Sequence, residues 1–207
     1  MINAIIPIWK PVDWTSFDVV KNIRGQIKPA KVGHAGTLDP FAEGVLMICT
    51  GEFTKKVESF MDKEKEYIAD IQLGIETDTL DPTGNIVKTA NIPGLSKEQI
   101  KMVLKIFIGN IKQEPPMFSA LKVNGQPLYK SARRGINIPR KKRVISIHDI
   151  ELIDFSKDII RIKVICGRGT YVRSLAKDIA VKLNTVGHLI ALNVPELVNM
   201  IKKTVLK

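Results

Sequence analysis

Two hydrophobic periods alternate along this chain, and the switches between them mark its elements. Ile5 to Trp9 is apolar and rich in β-branched residues, which predicts a strand. Thr15-Ser16 then offers an N-cap, with Asp18 in the first turn, for a helix to about Lys28. Val45 to Cys49 is an unbroken apolar run and predicts a core strand. Phe53 to Met61 predicts a short helix with Val57, Phe60 and Met61 on one face. Tyr67 to Leu73 alternates with a single break at Ile68, the mark of a strand. Ser96 and Gln99 form a capping box for an amphipathic helix to Ile108. Asn124-Gly125 is a hairpin turn signal, and Val144 to Phe155 and Ile159 to Cys166 predict paired strands around a polar turn. Tyr171 to Leu183 predicts a helix, and His188 to Val194 a final strand. Helical and strand signals alternate throughout with no internal repeat, so the fold class is α+β (mixed α/β). The polar stretch Glu76 to Pro93 suits a hinge between lobes or a decorated loop. The expectation is a single domain over residues 1–207 with an elaborated central sheet.

Composition narrows the classes of function. The apolar share is 44%, enough for a packed core, yet no long uncharged apolar run predicts a transmembrane helix. Met1 to Lys10 lacks a basic n-region and a cleavage site and predicts a strand, not a signal peptide. Cys49 and Cys166 lie in apolar runs without C-x-x-C spacing, as expected of buried, reduced thiols in a cytoplasmic protein without a zinc site.

Charge changes the picture more. The formal net charge is +11, and it is uneven: residues 121–207 hold 18 Lys/Arg against 6 Asp/Glu, and residues 1–120 hold 14 against 15. Lys130, Arg133, Arg134, Arg140, Lys141, Lys142 and Arg143 fall in one stretch with no acid. Neutralising a phosphate backbone accounts for this better than solubility does. A membrane surface fits poorly, because Gly135 and Pro139 interrupt the run and no apolar helical face accompanies it.

The candidate chemistry centres on Gly33-His34-Ala35-Gly36-Thr37-Leu38-Asp39-Pro40. Gly33 and Gly36 permit close approach or a positive φ, and Pro40 biases Asp39 toward an extended backbone. A core strand follows at once, so Asp39 is expected on a rigid loop, as a nucleophile or base would be. The plainer alternative is an ordinary Asp-Pro turn. Gly167-Arg168-Gly169-Thr170-Tyr171-Val172-Arg173 follows a strand, and locally it reads as a helix start with an exposed Arg173. Tyr67 opens a strand after Lys65-Glu66, a common packing position. The three histidines, His34, His148 and His188, are scattered and form no metal-ligand spacing.

The span from Gly33 to Lys55, GHAGTLDPFAEGVLMICTGEFTK, closely resembles the signature of the TruB family of tRNA pseudouridine synthases. Further segments resemble family motifs. They are Trp9-Lys10-Pro11 with Thr15-Ser16, Lys65-Glu66-Tyr67, Thr77 to Gly84 (T-D-T…D…G), Gln113 to Lys122, Leu128-Tyr129 to Arg140, and Gly169 to Arg173 (G-T-Y-[IV]-R). The resemblance covers residues 5 to about 192. It implies a pseudouridine-synthase fold with a central, mainly antiparallel sheet flanked by helices. It implies an isomerase that turns a tRNA uridine, uridine 55 of the T loop, into pseudouridine without a cofactor or a metal. Asp39 maps to the nucleophile and Arg173 to its ion-pair partner, which keeps the carboxylate charged in a dry pocket. Tyr67 maps to the pocket tyrosine on which the flipped base stacks, and Tyr171 to a substrate contact. His34 maps beside the flipped nucleotide, Lys10 supports the active-site loop, Leu192 lines the pocket, and the basic run grips RNA. The implied partner is the tRNA T-arm stem-loop, bound by a cytoplasmic monomer with no obligate protein partner and no membrane attachment.

Two departures stand out. The family's L-R-R on the last strand becomes Leu192-Asn193-Val194, which loses both arginines. A C-terminal PUA-type RNA-binding domain is not expected in this chain, which predicts weaker and more salt-sensitive binding. Two alternatives stay open: a non-catalytic RNA-folding module, and a synthase acting on another RNA. Whether attack falls on C1′ or C6 is also open.

Overall fold

The computed structural model describes residues 3–27 and 31–195. The chain forms two compact units, residues 1–68 with 191–207, and residues 69–190.

In the first unit, β1 (Ile5–Lys10) leads into α1 (Ser16–Gln26). The capping box forms as the sequence predicts. Thr15 Oγ1 accepts from the Asp18 N–H at 3.1 Å, and the Asp18 carboxylate accepts from the Thr15 N–H at 2.9 Å. Val19 and Val20 are the buried face of α1. The helix is described to Gln26, and the expected end at Lys28 lies outside the described residues. β2 (Val32–His34) and β3 (Glu43–Thr50) follow. Antiparallel β1 lines one edge of β3, from Ile5 opposite Cys49 to Lys10 opposite Gly44. The other edge of β3 takes antiparallel β2 at its end and the last residues of β12 (Gly187–Val194), in parallel, at its start. Leu46, Met47, Ile48 and Cys49 are all buried, as a strand paired on both edges requires. Gly44 has φ 120°, and a Cβ there would lie 2.4 Å from the Val194 carbonyl oxygen, so only glycine admits β12 at this register.

The predicted helix Phe53 to Met61 divides into a 3-10 turn, Gly51–Lys56, and a short α2, Val57–Met61. Its predicted apolar face holds: Val57, Phe60 and Met61 join Ile5 and Val45 around Ala35 and Met47. The turn carries its bend at Gly51, φ 57°, a position that periodicity does not reveal.

β4 (Lys65–Leu73) and β12 carry the chain between the units. In the second unit the strand order is β12-β4-β11-β10-β7, with β7 (Gly109–Gln113), β10 (Arg143–Ser156) and β11 (Ile159–Cys166). β10 and β11 form the predicted antiparallel pair, turning at Lys157, φ 54°. α3 (Lys97–Ile106) starts at the predicted Ser96–Gln99 capping box and buries Ile100 and Leu104. The stretch Glu76 to Pro93 lies wholly inside this unit, where β5 (Ile75–Thr77) and β6 (Ile86–Thr89) make a two-stranded ribbon. β8 (Lys122–Val123) and β9 (Gln126–Pro127) flank Asn124 and Gly125, both at positive φ, so the predicted hairpin turn is of the primed type. α4 (Leu128–Ala132) follows, and α5 (Val172–Lys182) buries Leu175, Ala176, Ile179 and Ala180 completely. The class is α+β as expected, with a mixed sheet in which β12 pairs with β3 in parallel. No described helix is long and apolar enough to cross a membrane.

Candidate active site

The loop from β2 to β3 is tied down residue by residue. The Ala35 N–H donates to Met47 O at 2.9 Å, and Gly36 sits at φ 114°. His34 Nδ1 donates to the Gly36 carbonyl, which fixes the ring and its tautomer. Ser16, buried at the start of α1, grips Leu38 twice: its Oγ accepts from the Leu38 N–H at 2.9 Å and donates to Leu38 O at 3.2 Å. Asp39, half-buried, comes next, and its carbonyl accepts from the Ala42 N–H at 3.1 Å.

Lys10 anchors the other side of Asp39. Its side chain is fully buried, and Nζ donates to the carbonyls of Trp14 at 2.7 Å, Pro11 at 2.8 Å and Pro40 at 3.3 Å. Pro40 O also accepts from the Asp13 N–H at 2.8 Å. Burial pushes the Lys10 ammonium below its ordinary pKa, and the charge of Asp39 is the largest influence pulling it back. By reciprocity the ammonium favours a charged Asp39. Lys10 thus sits at the end of edge strand β1 with its ammonium buried and bonded to backbone carbonyls of two segments, Pro11–Trp14 and the one that includes Pro40.

Tyr67, third residue of β4, and Leu192, 6% exposed on β12, belong to the same unit as Lys10, His34 and Asp39. Lys65, two residues before Tyr67, lies against Gly36, where a Cβ would sit 3.6 Å from Lys65 Cε.

In the second unit Arg173 occupies the first turn of α5. It is 4% exposed, which corrects the local expectation of an exposed arginine. Nη1 donates to Asp81 Oδ2 and to Thr79 O, each at 3.0 Å, and Nη2 to Phe118 O at 2.8 Å. Asp81 is equally well held, since its Oδ1 accepts from Thr79 Oγ1 and Thr83 Oγ1 at 2.6 Å and from the Thr83 N–H at 3.0 Å. Gly84 closes this turn, because a Cβ there would meet Asp78 Oδ1 and Thr79 Oγ1 at 2.3 Å. Asp81 is the residue that sequence reasoning missed. The Thr77–Gly84 motif was its signal, but nothing in the motif says which cation it faces.

Tyr171 caps α5, half-buried, and the Gln113 side chain clamps its backbone at both ends: Gln113 Nε2 donates to Tyr171 O at 3.1 Å and the Tyr171 N–H donates to Gln113 Oε1 at 2.9 Å. The basic run leaves α4 and reaches β10. Lys130, Arg133, Arg134, Lys141, Lys142 and Arg143 are exposed, and Arg133 stacks over the Tyr129 ring at 5.5 Å. Arg140 is partly buried and pairs with Glu114 at 2.6 Å. A cavity of about 530 Å³ beside it is lined by Arg140, Lys142, Glu114, Phe118 and Asp178, and burial pushes the Asp178 carboxyl up. Among the described residues no group of three or more His, Cys, Asp and Glu could hold a metal ion.

Residues 24–172 match the family model described as TruB family pseudouridylate synthase (N terminal domain). The chain is 47% identical over 192 residues to the tRNA pseudouridine synthase B of Hydrogenovibrio crunogenus, covering 93% of this chain and 63% of that protein. It is 50% identical over 192 residues to the tRNA pseudouridine synthase B of Francisella tularensis subsp. tularensis, covering 92% and 64%. It thus spans less than two thirds of the length of these curated relatives. Among solved structures, a crystal structure of a Cbf5-Nop10-Gar1 complex superposes with a TM-score of 0.70 at 28% identity, covering 91% of this chain and 47% of that one. An H/ACA RNP bound to a substrate RNA containing 2′-deoxyuridine gives 0.66 at 25% identity, covering 91% and 45%.

Proposed function

Because the chain belongs to the TruB family of pseudouridylate synthases, we propose that it carries the catalytic part of a tRNA pseudouridine synthase, an isomerase whose substrate is uridine 55 in the T arm. The reaction breaks the C1′–N1 bond, turns the base and forms C1′–C5. C5 gives up its proton and N1 gains one, so no electrons are exchanged and no co-reactant is consumed. The uridine must leave its stack to expose these atoms. Asp39 is the covalent catalyst, adding to the sugar or the base and leaving again. Tyr67 stacks on the flipped base, with Tyr171 and Leu192 as further contacts to it, while His34 and the basic run hold the RNA. Arg173 would keep Asp39 ionised, a role that rests on the resemblance of Gly169 to Arg173 to the family motif.

The observation that supports this reading best is the support of Asp39. A fully buried ammonium and a buried hydroxyl are both spent on the backbone of Leu38 and Pro40, on either side of one carboxylate. A turn of no consequence would not hold a buried charge at that position.

The test is pseudouridine formation in a T-arm stem-loop transcript, with no metal or nucleotide added, by the chain and by Asp39→Ala. Product from the parent chain alone supports both the reaction and the nucleophile. Binding by both proteins with product from neither would replace this reading with that of a non-catalytic RNA-folding module, or of a synthase for another RNA.

A further inference from the structure

The cavity beside Arg140 lies wholly within residues 69–190, and none of Asp39, Tyr67, Tyr171, Arg173 and Leu192 lines it. Its volume of about 530 Å³ falls in the range of sites for small organic molecules. Two ion pairs brace its walls, Arg140 with Glu114 at 2.6 Å and Lys177 with Glu76 at 2.7 Å. Asp78, a third acid of the lining, accepts from the Asn85 N–H at 2.9 Å. The polar groups that remain point to a ligand. Arg140 Nε is buried with no hydrogen-bond partner, and an unmet buried donor is costly. The Asp178 carboxyl, half-buried on α5, makes no hydrogen bond among the described residues. Burial pushes its pKa up, against the pull of the Lys177 and Lys142 charges. Lys112 and Lys142 are exposed and belong to no ion pair among the described residues. Lys112 lies opposite Val144, and Lys142 comes two residues before Val144, so the two lysines are diagonal neighbours across the β7–β10 pair. Much of the remaining lining is apolar, with Leu80, Val87, Phe118 and Ile136.

We propose that this cavity is a nucleotide-binding site, with the phosphate on Lys112 and Lys142, the base against Phe118, and the base edge on Arg140 Nε and Asp178. Two unpaired ammonium groups side by side call for a phosphate. A flat ring fills the space against Phe118. Every base edge offers both an acceptor for the Arg140 N–H and a donor for a carboxylate. A cationic ligand is disfavoured, because Lys142 and Lys177 lie beside the carboxyl that would receive it. Inorganic phosphate alone would leave Phe118 and Asp178 unused. The nucleotide is either a free one or a residue of an RNA, which present the same phosphate, ring and base edge. The cavity also backs onto the support of Arg173: Phe118 O accepts from Arg173 Nη2 at 2.8 Å, and the neighbouring Ser174 is part of the lining. A bound nucleotide would therefore brace the turn that holds Arg173.

The test is calorimetric titration with adenosine 5′-monophosphate, chosen because a uridine nucleotide would also suit the site of Asp39, and with ribose 5-phosphate, which lacks the base. The parent chain should bind the nucleotide at least about tenfold more tightly than ribose 5-phosphate, a difference of about 1.4 kcal/mol. Lys112→Gln and Asp178→Leu should each weaken the nucleotide about tenfold, and Lys105→Gln, an equal change of charge on the exposed side of α3, should not. Asp178→Leu breaks no hydrogen bond and Lys112 is exposed, so both variants should keep the parent's melting curve, and Lys112→Gln carries the test if Asp178→Leu does not fold. Adding the T-arm stem-loop distinguishes the two sources. Displacement of the nucleotide by the RNA assigns the site to a residue of the RNA, and simultaneous binding assigns it to a free nucleotide. No binding at millimolar nucleotide, equal affinity for ribose 5-phosphate, or binding unchanged in both variants overturns the site. The titration does not depend on the reaction proposed above, so a chain that binds the nucleotide yet forms no pseudouridine would count against that reading alone.

Discussion

Replacing Asp81 by asparagine probes the least expected contact in the molecule. The Arg173–Asp81 pair is 3.0 Å long, and its side chains are 5% and 7% exposed. Asparagine keeps the shape and can keep an acceptor toward Thr79 and Thr83. It presents either a neutral oxygen or an amide donor to the Arg173 guanidinium, which loses the charge of Asp81. Breaking a buried pair from one side destabilises by about 3–5 kcal/mol. The low end applies here, because Arg173 still donates to Thr79 O and Phe118 O. About 3 kcal/mol is roughly a hundredfold in the folding equilibrium, or a melting point lower by about 6–12 °C for a chain of this size. Urea melts should be followed by far-UV circular dichroism, since both tryptophans, Trp9 and Trp14, sit in the other unit. The companion variants are Arg173→Met and the double variant Asp81→Asn/Arg173→Met. Removing both charges should cost less than the sum of the single changes, because the two charges interact directly at 3.0 Å. A loss below about 1 kcal/mol for Asp81→Asn, or strict additivity in the cycle, would refute the assignment of Asp81 as an ion-pair partner of Arg173 that contributes to stability.

Further predictions concern the support of the Asp39 loop and the strand that follows it. Lys10→Met should lower the rate of pseudouridine formation at saturating RNA far more than it lowers stability, since it removes the bond to Pro40 O that ties the Asp39 loop to the Pro11–Trp14 segment, but also a buried charge. Burial lowers the Lys10 pKa, so between that lowered value and 10.5 the unfolded chain holds more protons and stability rises with pH. Urea melts across that window should favour the parent chain over Lys10→Met increasingly as pH rises, and a pH-independent difference would contradict the burial argument. Gly44→Ala places a Cβ 2.4 Å from Val194 O at φ 120°, so it should destabilise by about 2 kcal/mol or more in a urea melt, and a neutral result would mean that β12 does not hold this register.

What the sequence disclosed, and what it hid, divides by range. Both capping boxes, at Thr15/Asp18 and Ser96/Gln99, and the Asn124-Gly125 turn are local chemistry, and each forms where the residues place it. The apolar face of Val57, Phe60 and Met61 survived even though its helix divided at the 3-10 turn, because the face depends on packing against Ala35 and Met47. The hidden features join distant residues. Asp81 and Arg173 are 92 positions apart, and Lys10 and Pro40 are 30 apart, so neither contact leaves a period or a spacing to detect.

The parallel pairing of Val194 with Gly44 also orders events during synthesis. Residues 69–190 are contiguous, so that unit has all its parts once residue 190 has emerged from the ribosome. The unit with the Asp39 loop begins first and finishes last. Its β3 edge stays open until Asn193 meets Glu43, 150 positions away, at an Nδ2–Oε1 distance of 3.0 Å. Pairing over such a separation is slow. A nascent or prematurely ended chain would thus carry a completed second unit while β3 still lacks one of its neighbours.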